Sequence, residues 1–177
     1  MKVVKIIIPG AVCLLLLSGC VSSGMIERLR GLDKKNAELE KKLELHKPAM
    51  AELMTHLQEH HSRLWFAGQA GNWKLASHQV QGLKAELEKA ARIHDKWEDV
   101  PKPLTMLIPL ITSAEIQKLG EAIKAGDKQQ FTTSFEKLTK DCNTCHQATD
   151  RGFIVIQTPT APGRTNLQYA PKRSGTP

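Results

Sequence analysis

The residues with the clearest chemical pattern are Cys142 and Cys145, which His146 follows directly in the sequence Cys-Asn-Thr-Cys-His. Two thiols at this spacing can each bond one of the two vinyl groups of a haem, and the adjacent imidazole can reach the iron from one face. The motif therefore predicts one covalent haem c. Cys142 and Cys145 would attach it, and His146 would be an axial iron ligand.

Two other uses of a close cysteine pair fit this sequence less well. A thioredoxin-like redox pair normally stands at the start of a helix in a βαβ pattern, which this chain does not show. A structural zinc site needs two further ligands at regular spacing, and the neighbouring sequence does not offer them. We also find no catalytic triad, carboxylate pair or phosphate-binding loop, so we do not expect an enzyme.

The first residues indicate export and lipid attachment. Two lysines precede an apolar run over residues 6–17, which is long enough for a signal peptide and too short to span a bilayer. The next residues, Leu17-Ser18-Gly19-Cys20, resemble the lipobox of bacterial lipoproteins. This resemblance implies cleavage before Cys20 and a diacylglycerol on its sulfur. We expect a lipid-anchored protein of the bacterial cell envelope that faces the periplasm, and Val21 favours the outer membrane.

The charged residues and the cysteines limit the classes of partner that we expect. The chain has 25 lysine and arginine residues against 18 aspartate and glutamate residues, a formal net charge of +7. The lysines are spread along the chain and are not clustered with aromatic residues, so we expect no nucleic-acid binding. Cys13 lies in the predicted signal, which leaves no cysteines for a structural disulfide. The expected partners are the membrane, through the lipid anchor, and redox proteins.

A heptad pattern follows the predicted anchor. Its core positions alternate in steps of three and four: Leu29, Leu32, Asn36, Leu39, Leu43 and His46. Asn36 at an a position and leucines at most d positions favour a parallel dimer, and Lys35 and Glu40 occupy flanking g and e positions. We therefore predict a short coiled-coil spacer and a parallel homodimer. The alternative is a solvated amphipathic helix that lies on lipid or on its own domain.

The rest of the pattern predicts an all-α fold, an antiparallel four-helix bundle. Apolar residues recur at helical spacing, and no stretch shows the alternation of a strand. Helix A is expected over about residues 49–66, and helix B from a cap at Asn72 to about residue 97. Gly68 and Gly71 predict the turn between them. Helix D follows a cap at Asp127, and its buried stripe would be Phe131, Phe135, Leu138, Cys142 and Cys145.

Prolines complicate the prediction of helix C. Pro101, Pro103 and Pro109 predict a connector over residues 100–111. The sequence Thr112-Ser113-Ala114-Glu115 predicts a capping box that opens a short helix C, ending near residue 125. The expected organisation is a signal peptide over residues 1–19, an anchor and spacer over 20–47, the bundle over 48–157, and an irregular tail, rich in Pro, Thr and Gly, over 158–177.

Four helices with the attachment motif near the end of the last one resemble the cytochrome c-prime superfamily, whose bundle holds haem between its first and last helices. The segments LWFAGQAGNW (64–73) and CNTCHQAT (142–149) are similar to a group of little-characterised bacterial haem proteins. The resemblance covers roughly residues 49–156. Two features depart from the superfamily pattern: the short helix C and the long segment after the haem motif.

The sixth iron ligand should come from the start of helix A, because the end of helix D lies beside it in an antiparallel bundle. Met50 and Met54 are four residues apart on one face, and either thioether with His146 would give a low-spin, relatively high-potential electron carrier. We prefer Met54; core packing is the other use of such methionines. Rival ligands, or surface residues, are the other histidines: His46, His56, His60, His61, His78 and His94. We expect Trp65 and Trp73 to be packing residues.

Together these patterns predict a membrane-anchored mono-haem c-type cytochrome that carries single electrons. Two alternatives stay open. One is a five-coordinate haem protein that binds nitric oxide or another diatomic gas, which the family resemblance permits. The other is an envelope scaffold lipoprotein in which the haem is structural.

Overall fold

The computed structural model describes residues 23–97, 100–163 and 165–171. These residues form five α-helices and no β-strand, which confirms the predicted all-α class for this part of the chain. The helices are α1 (Ser23–Leu45), α2 (Met50–Gln69), α3 (Trp73–Ile93), α4 (Leu104–Ala125) and α5 (Lys128–Ala148). The predicted signal peptide and the predicted lipid site, Cys20, lie outside the described residues.

The chain divides into two compact units, one ending at His46 and the other beginning at Lys47. In the first unit, α1 has no buried residue. In the second unit, α2 packs against α3 and α5, and α4 packs against the same two helices. The four helices therefore enclose a common core. None of the described helices is long and apolar enough to cross a membrane.

The connection between α2 and α3 is a tight turn. Gly71 adopts a left-handed conformation with φ of 70°. Asn72 caps α3 as predicted, because its Oδ1 accepts a hydrogen bond from the Leu75 amide at 3.2 Å. The prediction that Gly68 belongs to this turn is wrong. Gly68 lies inside α2, where a Cβ atom would overlap the Phe131 ring, so the missing side chain allows α2 and α5 to approach closely.

Residues 104–111 begin α4, so the predictions of a connector there and of a short helix C are both wrong. Pro103 stands just before the helix, and Pro109 lies inside it. Pro109 removes one backbone donor from the helix. The burial of the apolar side chains around it, Leu104, Leu107 and Ile108, offsets this loss.

Asp95, in the loop before α4, accepts hydrogen bonds from the first two backbone amides of that helix. The Asp95 carbonyl accepts from the Leu104 amide at 2.8 Å, and the Asp95 carboxylate accepts from the Thr105 amide at 3.0 Å. These bonds require Asp95 to lie outside a helix. For this reason α3 ends at Ile93 and not near residue 97 as predicted.

The predicted capping box lies in the middle of α4. Thr112 is buried, and its hydroxyl donates to the Ile108 carbonyl at 2.9 Å within the helix. Glu115 accepts a hydrogen bond from the Lys118 ammonium at 2.6 Å. Neither side chain caps a helix start, and that prediction is wrong.

The start of α5 agrees with its predicted cap. Gly126 ends α4 in the left-handed conformation, and Asp127 accepts from the Gln130 amide at 2.9 Å. The apolar stripe of α5 is fully buried at Phe131, Phe135 and Leu138. The rings of Trp65 and Trp73 pack on Phe131 with centroid distances of 6.4 and 5.9 Å, which confirms the prediction that both are packing residues.

Candidate functional site

The last turns of α5 and the first turns of α2 border one cleft of about 470 Å³. Cys145 and His146 line it from α5, and Met50 and Met54 line it from α2. The remaining lining is mostly apolar: Ala49, Ala51, Trp97, Leu104, Ile108, Thr149, Arg151 and Ile154. The volume falls within the range of sites that hold small molecules and cofactors. The structure thus brings together four of the five residues that the sequence assigned to a haem site.

Cys142 is the predicted site residue that does not line the cleft. It lies three residues before Cys145 on α5, and both thiols are partly buried and free. Burial raises the pKa of Cys142 to about 12, with smaller contributions from Cys145 and Asp141, and burial also raises the pKa of Cys145. Both thiols are therefore protonated at neutral pH, whereas the thiols of disulfide-exchange sites have lowered pKa values.

The hydrogen bond of His146 selects its tautomer. Its Nδ1 lies 2.7 Å from the carbonyl oxygen of Ile154. A carbonyl can only accept, so Nδ1 carries the proton, and the neutral ring keeps its lone pair on Nε2. Histidines that bind metals usually donate their other N–H group to a carbonyl or carboxylate in this way. His146 therefore has the tautomer that a ligand through Nε2 requires.

The chain after α5 folds back to provide that carbonyl. The Arg151 amide donates to the His146 carbonyl at 2.7 Å. Asn143 and Ile156 exchange two hydrogen bonds: the Asn143 amide nitrogen donates at 2.8 Å, and its Oδ1 accepts at 2.7 Å. Sequence reasoning missed the roles of Asn143 and Ile154. The available signal was an amide side chain between the two cysteines, which can both donate and accept.

A second histidine positions the start of α2. His94 Nε2 donates to the Pro48 carbonyl at 2.9 Å, two residues before Met50. The His94 ring also meets Trp97 edge-on at a centroid distance of 5.2 Å, and Trp97 lines the cleft. These two contacts give His94 a structural role in the wall of the cleft, which the sequence did not indicate.

A third histidine, His61, is buried in the core away from the cleft. Its Nε2 lies 2.9 Å from Thr139 Oγ1. The Thr139 hydroxyl donates to the Phe135 carbonyl at 2.9 Å, so Oγ1 accepts from the His61 N–H group. Burial lowers the pKa of His61 to about 4. His61 is therefore neutral, and His146 is the one described histidine that lines the cleft.

Acidic side chains lie near the first cysteine. Burial raises the pKa of Asp141, the charge of Glu115 raises it further, and Lys118 lowers it. The second oxygen of Glu115, Oε2, is buried without a hydrogen-bond partner among the described residues. The surroundings of Cys142 are therefore more polar than the cleft that Cys145 and His146 line.

No family model, curated protein or solved structure matches this chain. The described residues also contain no group of three or more His, Cys, Asp or Glu side chains that could hold a metal ion. The iron of a haem already has four macrocycle nitrogens and needs only one or two ligands from the protein. The imidazole of His146 and the thioethers of Met50 and Met54 fit that requirement.

Proposed function

We propose that this protein is a mono-haem c-type cytochrome that carries single electrons in the bacterial cell envelope. The observation that carries this proposal is the mostly apolar cleft into which α5 brings Cys145 and His146, with His146 Nδ1 donating to the Ile154 carbonyl. In the same proposal α2–α5 form an antiparallel four-helix bundle. The two- to three-residue connections after α2 and α4 support this, since short loops join antiparallel neighbours.

Each residue of the site has a distinct task in this proposal. The Cys142 and Cys145 thiols would hold the haem through thioethers. His146 would hold the iron through Nε2, and the Ile154 carbonyl fixes the orientation of its ring. Arg151 also lines the cleft, and a guanidinium would suit the carboxylates that a haem carries. When bound, the haem supplies one-electron exchange between ferrous and ferric iron.

On the opposite wall, Met54 or Met50 would hold the iron as a second protein ligand. Both methionines are partly buried and one turn apart, so either sulfur can reach the space that His146 borders. A thioether ligand raises the reduction potential. The apolar lining from Trp97, Leu104 and Ile108 would also raise the reduction potential, because a low dielectric disfavours the more charged ferric form.

An absorbance spectrum of the reduced, purified full chain tests the proposal. We expect a sharp low-spin α-band, and we expect that His146→Ala abolishes this band. The matched control is His56→Ala, since His56 is exposed on α2 and does not line the cleft. A high-spin reduced spectrum that shifts on addition of nitric oxide would contradict electron transfer and favour gas binding. A spectrum without haem bands would contradict both.

A further inference from the structure

The apolar stripe of α1 is exposed among the described residues. Four leucines at its a and d positions are 51% to 74% exposed: Leu29, Leu32, Leu39 and Leu43. Most helical stability in proteins comes from packing an apolar face and not from intrinsic helix propensity. Gly24 and Gly31 weaken α1 further, because glycine is a poor helix former. The helix therefore needs a partner surface.

The charged residues beside this stripe are complementary to those of a second copy of the same helix. In the heptad register, Arg28 and Lys35 stand at g positions, and Asp33 and Glu40 stand at e positions. None of these four has an ion pair within the described part of the chain. In a parallel coiled coil, a g residue faces the e residue five positions later on the other helix. Arg28 would then face Asp33 of the second copy, and Lys35 would face its Glu40.

The opposite orientation is disfavoured by the same residues. An antiparallel pair brings g positions against g positions and e positions against e positions. Arg28 and Lys35 would then meet only basic residues, and a register that pairs Asp33 with Glu40 would set acidic residues against each other. Asn36 adds to this preference, because at an a position it faces itself only in a parallel, in-register pair.

We infer that α1 docks on α1 of a second copy to form a parallel, in-register coiled-coil dimer. One pair of like charges lies at the end of this interface, where Lys42 would face Lys47. Lys42 is held by Glu38 of its own helix at 2.9 Å, and Lys47 lies beyond the end of α1. This inference concerns assembly alone and holds whether or not the proposed electron transfer is correct.

Charge reversal at the interface tests it, with the full chain purified in mild detergent and analysed by sedimentation. The first variant, Arg28→Glu with Lys35→Glu, makes all four flanking positions acidic. The second, Asp33→Lys with Glu40→Lys, makes them all basic. We expect the dissociation constant of each homodimer to rise at least tenfold, since every g–e' pair becomes repulsive. Mixing the two variants restores all four attractions, so we expect a heterodimer as tight as the wild-type dimer.

A matched control reverses the same number of charges on the outer face. Lys34→Glu with Lys41→Glu changes two f positions, and we expect it to dimerise like wild type. Three results would overturn the inference: a monomeric wild-type chain, variants that dimerise as tightly as the control, or a mixture that stays monomeric. Binding of a monomeric chain to anionic phospholipid vesicles through α1 would identify a membrane-surface helix instead. Haem content, measured on the same samples, should not differ between the variants.

Discussion

At the scale of single residues, the site depends on which nitrogen of His146 carries its proton. The Ile154 carbonyl settles this, and it comes from the segment that follows α5. The motif itself predicted Cys142, Cys145 and His146, because their spacing alone fits the chemistry of haem attachment. The orientation of the imidazole could not be predicted in this way. It depends on the path of the chain after residue 150, which folds back towards α5. Hydrophobic periodicity in the sequence does not predict such a path.

Replacing the cleft methionines identifies the sixth ligand. We expect Met54→Ala to convert the reduced haem from low-spin to high-spin, because the thioether of Met54 is our preferred ligand; if Met50 is the ligand, Met50→Ala does so instead. Met106→Ala is the matched control, since Met106 is 63% exposed and lies outside the cleft. The measurement is the reduced absorbance spectrum. A low-spin spectrum in both cleft variants would contradict thioether ligation.

His61 makes stability depend on pH. Its pKa falls from 6.5 in the unfolded chain to about 4 in the folded one, because burial disfavours the charged ring. The unfolded state then binds more protons than the folded state between these pH values. The contribution of His61 to the free energy of unfolding is therefore complete above pH 6.5 and is lost as pH falls towards 4. We expect about 2 kcal/mol of this contribution to be lost between pH 7 and pH 5.

Denaturant unfolding at pH 7 and pH 5 measures this loss. In His61→Gln the difference between the two pH values should shrink by the amount that His61 contributes. His56→Gln should leave it unchanged, because His56 is exposed. Equal pH dependence in wild type and His61→Gln would show that the ring titrates normally in the folded state.

At the scale of helices, two glycines in similar settings have opposite roles. A methyl group on Gly68 would overlap the Phe131 ring, whereas one on Gly120 meets nothing within 4 Å. We expect Gly68→Ala to lower the free energy of unfolding by about 1–3 kcal/mol through overpacking. Gly120→Ala should raise it by roughly 0.5–1 kcal/mol, because alanine favours the helix. Denaturant titration measures both, and equal effects would contradict the close contact between α2 and α5.

The helices also show where sequence periodicity was sufficient and where it failed. Caps at Asn72 and Asp127 were predictable, because each lies directly before the helix it caps. The start of α4 was not predictable, because its cap is Asp95, nine residues earlier in the chain. Proline patterns indicated a break at Pro109, but burial of the surrounding apolar side chains outweighs the lost backbone donor.

At the scale of the whole molecule, the account assigns separate tasks to the two units. The second unit holds the cleft, and α1, whose 23 residues give a length of about 35 Å, would be the spacer and the dimer helix. The predicted lipid on Cys20 would hold this assembly at the membrane. The proposed electron transfer rests on one claim, that a haem is covalently attached to the chain.

Mass spectrometry of the denatured full chain, purified from a host with a c-type haem attachment system, tests that claim most directly. We expect a mass increased by one haem that resists denaturation and acid extraction. We also expect that Cys142→Ala with Cys145→Ala loses this mass. A chain whose mass is that of the polypeptide and its lipid alone would contradict the account.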